Sequence, residues 1–208
     1  MITEETQSIL SGFRLNPHFE ILPSLLQREK IDADTFMQFV ANTLSPLIEA
    51  HRNDNEVLRD EAYHYILPAI AVYETWRQYH ADPLSIFREM WLHGAEKGAE
   101  LLKNKAKDKR FLAEWIPNVT PKNCDTGAFL FDIRTVTETE TEYHVLRCPY
   151  VNICRECGCP EIVTVFCDSD DISFGNIHPR LKWGRTKTIG RGDSICDFKY
   201  QLMENDEE

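Results

Sequence analysis

The sequence predicts an α+β fold in which a helical N-terminal part, residues 1–116, packs on a C-terminal antiparallel sheet part, residues 124–201. Two observations predict it. Apolar residues recur every three or four positions before residue 117, and every second position after residue 128. Strands gathered after helices are typical of α+β folds with antiparallel sheets. The 208 residues include 42% hydrophobic residues, enough for one core, so we expect a single domain over residues 1–208.

Two helices are predicted first. The apolar spacing of one runs from residue 36 to 48, and that of the other runs from 58 to 76. We expect Asp54 to cap the second helix, because an aspartate side chain accepts the free N–H groups of a first turn. We expect Pro68 to kink this helix, because proline removes one backbone hydrogen bond.

A third helix and a linker complete the helical part. The helix opens at Asp82-Pro83, a capping residue followed by proline. Its exposed end is predicted to be the basic run 103–110, where cations suit the helix dipole. Residues 117–125 are predicted to form a linker, because the helical spacing stops there.

Beyond the linker the alternation of apolar residues predicts strands. The predicted strands are residues 129–133, 143–147, 181–189 and 195–200. Residues 137–142 alternate threonine with glutamate and are expected at a hairpin end, and residues 190–193 are expected to turn. The segment 160–168 fits either a short helix or a buried strand, because its run of β-branched residues leaves both open.

Composition narrows the class of protein. The net charge of −11 argues against nucleic acid and an anionic membrane surface as partners. The N-terminal residues are acidic where a signal peptide is basic, and no apolar run approaches the roughly 18 residues of a membrane span. We expect a cytoplasmic protein with reduced cysteines. The acidic run 204–208 is expected to be solvated.

Six of the seven cysteines lie between Cys148 and Cys196. The pair Cys154 and Cys157 has the two-residue gap that lets two thiolates bind one tetrahedral zinc ion. Cys148, Cys159, Cys167 or His178 could supply the remaining ligands, and Cys148 and Cys159 are the preferred candidates. Such a site would hold zinc or an iron–sulfur cluster. The alternative is that these thiols are small, buried and reduced.

Cys167 opens an unusual acidic run. Asp168, Asp170 and Asp171 follow it within four residues. Three carboxylates cannot be buried as anions without cations, so they either face water or bind something positive.

A second Cys-Asp pair, Cys196-Asp197, lies on the last predicted strand, where alternation puts the two side chains on opposite faces. Arg185, on the preceding strand, is either the structural partner of Asp197 or a fork for a substrate carboxylate. Two histidines, His144 on a strand and His178 in a loop, are second-rank acid–base candidates.

The residues resemble a known family. Cys167-Asp168, and the pattern from Arg185-Thr186-x-Thr188 through Gly190-x-Gly192-Asp193 to Cys196-Asp197-Phe198-x-Tyr200, are similar to the L-2-amino-thiazoline-4-carboxylic acid hydrolase family. The likeness extends from about residue 35 to 200. It implies hydrolytic opening of a cyclic isothiourea to N-carbamoyl-L-cysteine.

The resemblance also implies site residues. Arg185, Thr186 and Thr188 would bind the carboxylate-bearing substrate. The catalytic candidates are Cys167, Asp168, Cys196, Asp197, His178 and His144. Either a carboxylate or histidine activates water, or a cysteine attacks.

A second class of function, a binding module, remains possible beside the hydrolase. The chain is alternatively a small-ligand or metal-binding sensor or carrier module without hydrolase activity, with zinc or an iron–sulfur cluster held by the cysteines. A small molecule is the expected partner in both cases. The sequence leaves the oligomeric state open.

Overall fold

The computed structural model describes residues 2–204, apart from the side chain of Arg14. The chain forms two compact units. Unit 1 comprises the described residues up to Gly94 together with Pro149–Phe166, and unit 2 comprises Ala95–Cys148 and the described residues from Cys167 onward. Helices dominate the first half and a four-stranded antiparallel sheet lies in the second, which confirms the α+β class. The single domain stays a prediction, and the acidic run beyond Glu204 is outside the described range.

Unit 1 is built from helices. They are α1 (Glu4–Gly12), α2 (Leu22–Arg28), α3 (Ala33–Ala50), α4 (Glu56–Glu61), α5 (Leu67–Tyr79), the first part of α6 (Pro83–Lys105), α8 (Pro149–Glu156) and the start of α9 (Val163–Gly175). Residues Phe13–Leu15 and Pro17–Phe19 form short 3-10 turns after α1. The core joins α3 to α5, where the rings of Phe36 and Trp76 are 4.7 Å apart and both side chains are buried. None of the helices described is long and apolar enough to cross a membrane.

The second predicted helix is interrupted. A π-helical turn, Ala62–Ile66, separates α4 from α5, and Pro68 lies in the first turn of α5, where its missing N–H is no loss. The predicted capping residue is wrong by one position. Asn55 Oδ1 accepts from Leu58 N at 3.1 Å, whereas Asp54 pairs with His51 Nδ1 at 2.8 Å.

The third helix begins as predicted, because Asp82 Oδ1 accepts from Ser85 N at 3.1 Å. Its predicted end is right in part, because Lys103 and Lys105 lie in the last turn but residues 106–110 lie outside the helix. The predicted linker 117–125 is too long, because its first three residues are helical. Helix α6 ends at Lys105, and a further helix, α7 (Lys109–Val119), starts at the cap Asp108. This helix forms because Leu112, Trp115 and Ile116 bury one face at helical spacing, which carries it past Pro117.

Unit 2 centres on the sheet. Its strands are β1 (Leu130–Val136), β2 (Glu140–Arg147), β3 (Leu181–Gly184) and β4 (Cys196–Leu202), in the order β1-β2-β4-β3. One face is apolar and packs with α7 and the end of α9, where Trp115, Phe174 and Tyr200 meet. The other face is polar and carries Lys199 with Glu140 at 3.1 Å.

The structure settles one open prediction and corrects one predicted strand. The ambiguous segment 160–168 is helical, as a 3-10 turn Pro160–Ile162 followed by α9. The third strand stops at Gly184 rather than at residue 189, and Ile189–Arg191 forms a 3-10 turn. Gly192 ends that turn with φ +106°, a conformation that favours glycine.

Candidate functional site

Three aspartates of α9 alternate with two arginines in an ion-pair network within unit 2. Arg185 contacts Asp170 Oδ2 through Nη1 at 3.1 Å and Asp171 Oδ1 through Nη2 at 3.2 Å. Arg191 Nη2 contacts Asp171 Oδ2 at 3.1 Å and also donates to Asp168 Oδ1. The positive partners that the acidic run requires are therefore these two guanidinium groups.

Arg185 is the buried centre of this network. Its side chain is 3% exposed, and its Cζ lies 5.3 Å from the Trp183 ring centroid and 5.2 Å from that of Phe198. Nη2 also donates to the carbonyl oxygen of Cys167 at 2.5 Å. Arg185 Nε is buried without a hydrogen-bond partner among the described residues. The cation thus lies against two neighbouring aromatic rings and is tied to α9.

Asp170 has the properties of an acid–base group. Burial raises the pKa of its carboxyl to about 6, and Arg185 opposes this shift. The side chain nevertheless keeps 38% exposure. Within residues 2–204 only Arg185 donates to it, and to Oδ2, so Oδ1 is left to accept from a ligand or water. A partly exposed carboxyl that titrates near neutral pH is a functional-site candidate.

The two thiols near the network are protonated at neutral pH. Burial raises the pKa of Cys167 to about 12, although Arg185 acts in the opposite direction. Burial also raises the pKa of Cys196, whose Sγ accepts from Ile189 N at 3.2 Å. The thiolate is the reactive form, so neither thiol is prepared as a nucleophile.

Alkylation tests this protonation state. With iodoacetamide at pH 7.5, the exposed Cys124 is expected to react at least about tenfold faster than Cys167, because reactivity follows exposure and thiolate fraction. Peptide mass mapping over a time course measures both rates in one sample. Faster labelling of Cys167 than of Cys124 would show an activated thiol and overturn the assignment.

Asp197 lies on the polar face of the sheet, opposite His144 of β2. Its carboxylate accepts from Thr186 N at 2.8 Å, Thr186 Oγ1 at 2.5 Å and Lys187 N at 2.5 Å. The pKa of Asp197 is lowered overall. Burial by itself would raise this pKa, but the hydrogen bonds to the carboxylate outweigh burial. The predicted structural pair Arg185–Asp197 is wrong, because Arg185 points to the other face and pairs with α9.

These contacts predict a structural role for Asp197. The Asp197→Ala variant is expected to lose about 2 kcal/mol of unfolding free energy, because two loop N–H groups and a hydroxyl lose a charged acceptor. Urea denaturation measures the loss. The matched control is Asp132→Ala, on the same face, where the carboxylate pairs with exposed Arg134 at 2.7 Å; this variant is expected to lose less. Equal losses in the two variants would contradict the role.

Two further predicted site residues, Thr188 and His178, form hydrogen bonds within loops. Thr188 N donates to Asp193 Oδ2 at 2.8 Å, and Thr188 is buried. His178 forms a bridge with Leu181 and its Nδ1 accepts from Arg180 N at 3.2 Å. Substrate and catalytic roles for these residues and for His144 stay predictions.

The predicted metal ligands do not form a site. Cys154 and Cys159 are buried, and burial raises the pKa of Cys157 to about 11, which disfavours the thiolate that zinc requires. Across residues 2–204 no group of three or more histidine, cysteine, aspartate or glutamate side chains is placed to hold a metal ion. The metal hypothesis is therefore not supported.

Sequence reasoning named Arg185 and Asp168 of the network but missed its other three residues. Asp170, Asp171 and Arg191 were not among the predicted site residues. Cys167, Asp170 and Asp171 are spaced i, i+3 and i+4, which places them on one face of a helix. That spacing is a usable signal only once 163–175 is known to be helical.

The fold and this site define a small α+β protein with a buried arginine and an accessible carboxyl of raised pKa. Residues 59–200 match the family model described as L-2-amino-thiazoline-4-carboxylic acid hydrolase, and the chain belongs to this family. The matched range includes the whole ion-pair network. Comparisons with curated proteins and with solved structures gave no match.

Proposed function

We propose that the protein is a hydrolase that opens a small, carboxylate-bearing cyclic amidine or isothiourea, such as L-2-amino-thiazoline-4-carboxylate, to an N-carbamoyl amino acid. Membership of the family supports the reaction class. The observation that carries the proposal is Asp170, which has a pKa raised to about 6 and a free Oδ1 beside the buried Arg185. A base of this pKa works efficiently near neutral pH.

Two ends of such a substrate need partners. The amidine edge is cationic and planar, which suits the free oxygen of Asp170. The substrate carboxylate needs an accessible cation. Both arginines pair with aspartates of α9, but Arg191 is 44% exposed whereas Arg185 is 3% exposed. Arg191 therefore takes the carboxylate-binding role that was predicted for Arg185. Arg185 then acts as a positioning residue that fixes Asp170.

The reaction follows from these positions. Asp170 removes a proton from a water molecule as its oxygen bonds to C2 of the protonated amidine. The tetrahedral adduct collapses, the C2–S bond breaks, and Asp170 returns its proton to the sulfur. The remaining hydroxyl proton leaves as the C2=O bond forms, which balances the proton that the amidinium brought. The product is N-carbamoyl-L-cysteine, which carries both the new urea group and a free thiol.

Substrate turnover tests the proposal. The purified protein is incubated with L-2-amino-thiazoline-4-carboxylate and the product is identified by mass. N-carbamoyl-L-cysteine is expected to form well above a heat-denatured control. The 2-amino-thiazoline without its carboxylate is expected to have a kcat/KM at least about tenfold lower, because the interaction with Arg191 is lost. The proposal would be contradicted if neither this substrate nor any other cyclic amidine carboxylate tested in the same way gave a product.

A further inference from the structure

A cleft of about 400 Å³ lies within unit 1, between the N-terminal turns and the π-helical turn. Phe13, Phe19 and Pro68 give it apolar walls, and Tyr65 and His18 add polar edges. The volume falls in the range of about 300–1,000 Å³ that is typical of small-molecule sites. Phe13 and Phe19 are fixed, because their rings stack 4.1 Å apart and both are buried.

His18 is held rigidly at this cleft. Its ring stacks on Trp91 with centroids 4.0 Å apart and planes 9° apart, and its Nδ1 lies 2.7 Å from the Trp91 carbonyl oxygen. Gly94 permits the close approach, because a Cβ there would lie 2.4 Å from His18 Cα. A carbonyl oxygen only accepts, so Nδ1 carries the hydrogen and Nε2 presents a lone pair. Burial lowers the pKa of His18, which keeps this neutral form at neutral pH.

The chemistry of the lining limits the ligand. Among the described residues that line the cleft there is no lysine, arginine, aspartate or glutamate. Of these described residues, only the two histidines, His18 and His64, could carry a charge opposite to that of a ligand. Tyr65 lies on the π-helical turn, a feature that is frequent at functional sites, and is 43% exposed. The wall between residues 9 and 19 lies outside the matched range 59–200.

We propose that this cleft is a second binding site, for a small, neutral, planar aromatic molecule that donates an N–H or O–H group to His18 Nε2. The aromatic walls suit a flat ring, and the fixed acceptor selects a donor. The site is independent of the proposed hydrolase reaction, because its argument uses no residue of the Asp170–Arg185 network.

Indole and 1-methylindole test the donor requirement, because the two have the same ring and only indole has an N–H. Isothermal titration calorimetry at pH 7.5 is expected to show indole binding at least about tenfold more tightly than 1-methylindole. Absence of indole binding, or equal affinity for the two compounds, would overturn the proposal.

A cavity-filling variant tests the location. Gly12 lines the cleft with φ −72°, and a Cβ there meets nothing within 4 Å, so Gly12→Phe adds a ring at the wall of the cleft without backbone strain. It is expected to weaken indole at least about tenfold. Gly98→Phe, whose Cβ also meets nothing within 4 Å, is the matched control and is expected to bind indole as the wild type does. Wild-type affinity in Gly12→Phe would place the ligand elsewhere and refute the site. Circular dichroism checks that both variants are folded.

Discussion

The Asp170→Asn variant is expected to lose about 10²- to 10⁴-fold in kcat on L-2-amino-thiazoline-4-carboxylate, the range that a positioned general acid–base contributes. The amide has nearly the same shape as the carboxyl, and its oxygen still accepts from Arg185 Nη1, which lies 3.1 Å from Asp170 Oδ2. It has no basic oxygen to take a proton from water. The loss is therefore chemical rather than structural, and initial rates of product formation measure it.

The matched control for this variant is Asp132→Asn. Asp132 alternates with apolar-face residues of β1 and pairs with Arg134 at 2.7 Å on the polar face. The same change of charge and shape there is expected to leave kcat within about twofold of the wild type, because surface ion pairs contribute little. If Asp170→Asn keeps more than about a tenth of wild-type kcat, the carboxyl is not the general base.

Arg185→Met is expected to lower the unfolding free energy by about 3–5 kcal/mol, the cost of removing one partner from a buried charge pair. Methionine can occupy the space that the arginine fills against Trp183 and Phe198, so little of the loss comes from packing. The cost arises because Asp170 and Asp171 lose their common cation and the Cys167 carbonyl loses a donor. Urea denaturation followed by circular dichroism measures it.

Two comparisons separate this cause from a general loss of packing. Arg134→Met removes an arginine that is 52% exposed and is expected to cost less than about 1 kcal/mol. Adding Asp170→Asn to Arg185→Met is expected to recover part of the loss, because one uncompensated carboxylate is gone. A cost in Arg185→Met no larger than that in Arg134→Met would contradict the role of Arg185 as the buried centre of the network.

The acidic run shows how far the sequence leads toward the site. Its composition predicted that it either faces water or meets positive groups. Which carboxyl is perturbed depends on helical phase, since Asp170 and Asp171 share a face with Cys167 only in a helix. The β-branched residues 162–165 left helix and strand open, so that phase could not be assigned. Asp168 and Asp197, which each follow a cysteine, were therefore predicted as the catalytic carboxylates instead of Asp170.

The fold was easier to predict than the site, for a physical reason. Apolar and polar residues alternate along β4 and along the first six residues of β2, because one face packs in the apolar cluster and the other faces solvent. The capping residue is harder to predict, because asparagine and aspartate cap helices almost equally well and here they are adjacent. Asn55 rather than Asp54 caps α4. Pairing of Arg185 with α9 depends on tertiary contacts between residues 15 positions apart, which no local pattern encodes.

The pH dependence of kcat/KM for L-2-amino-thiazoline-4-carboxylate tests the central claim most directly. The unprotonated Asp170 is the active form, and the pKa of its carboxyl is about 6. Between pH 5 and 8, kcat/KM is expected to rise with pH, to pass half its maximum near pH 6, and then to level off. A profile that is flat across this range, or that falls as pH rises through 6, would contradict the account.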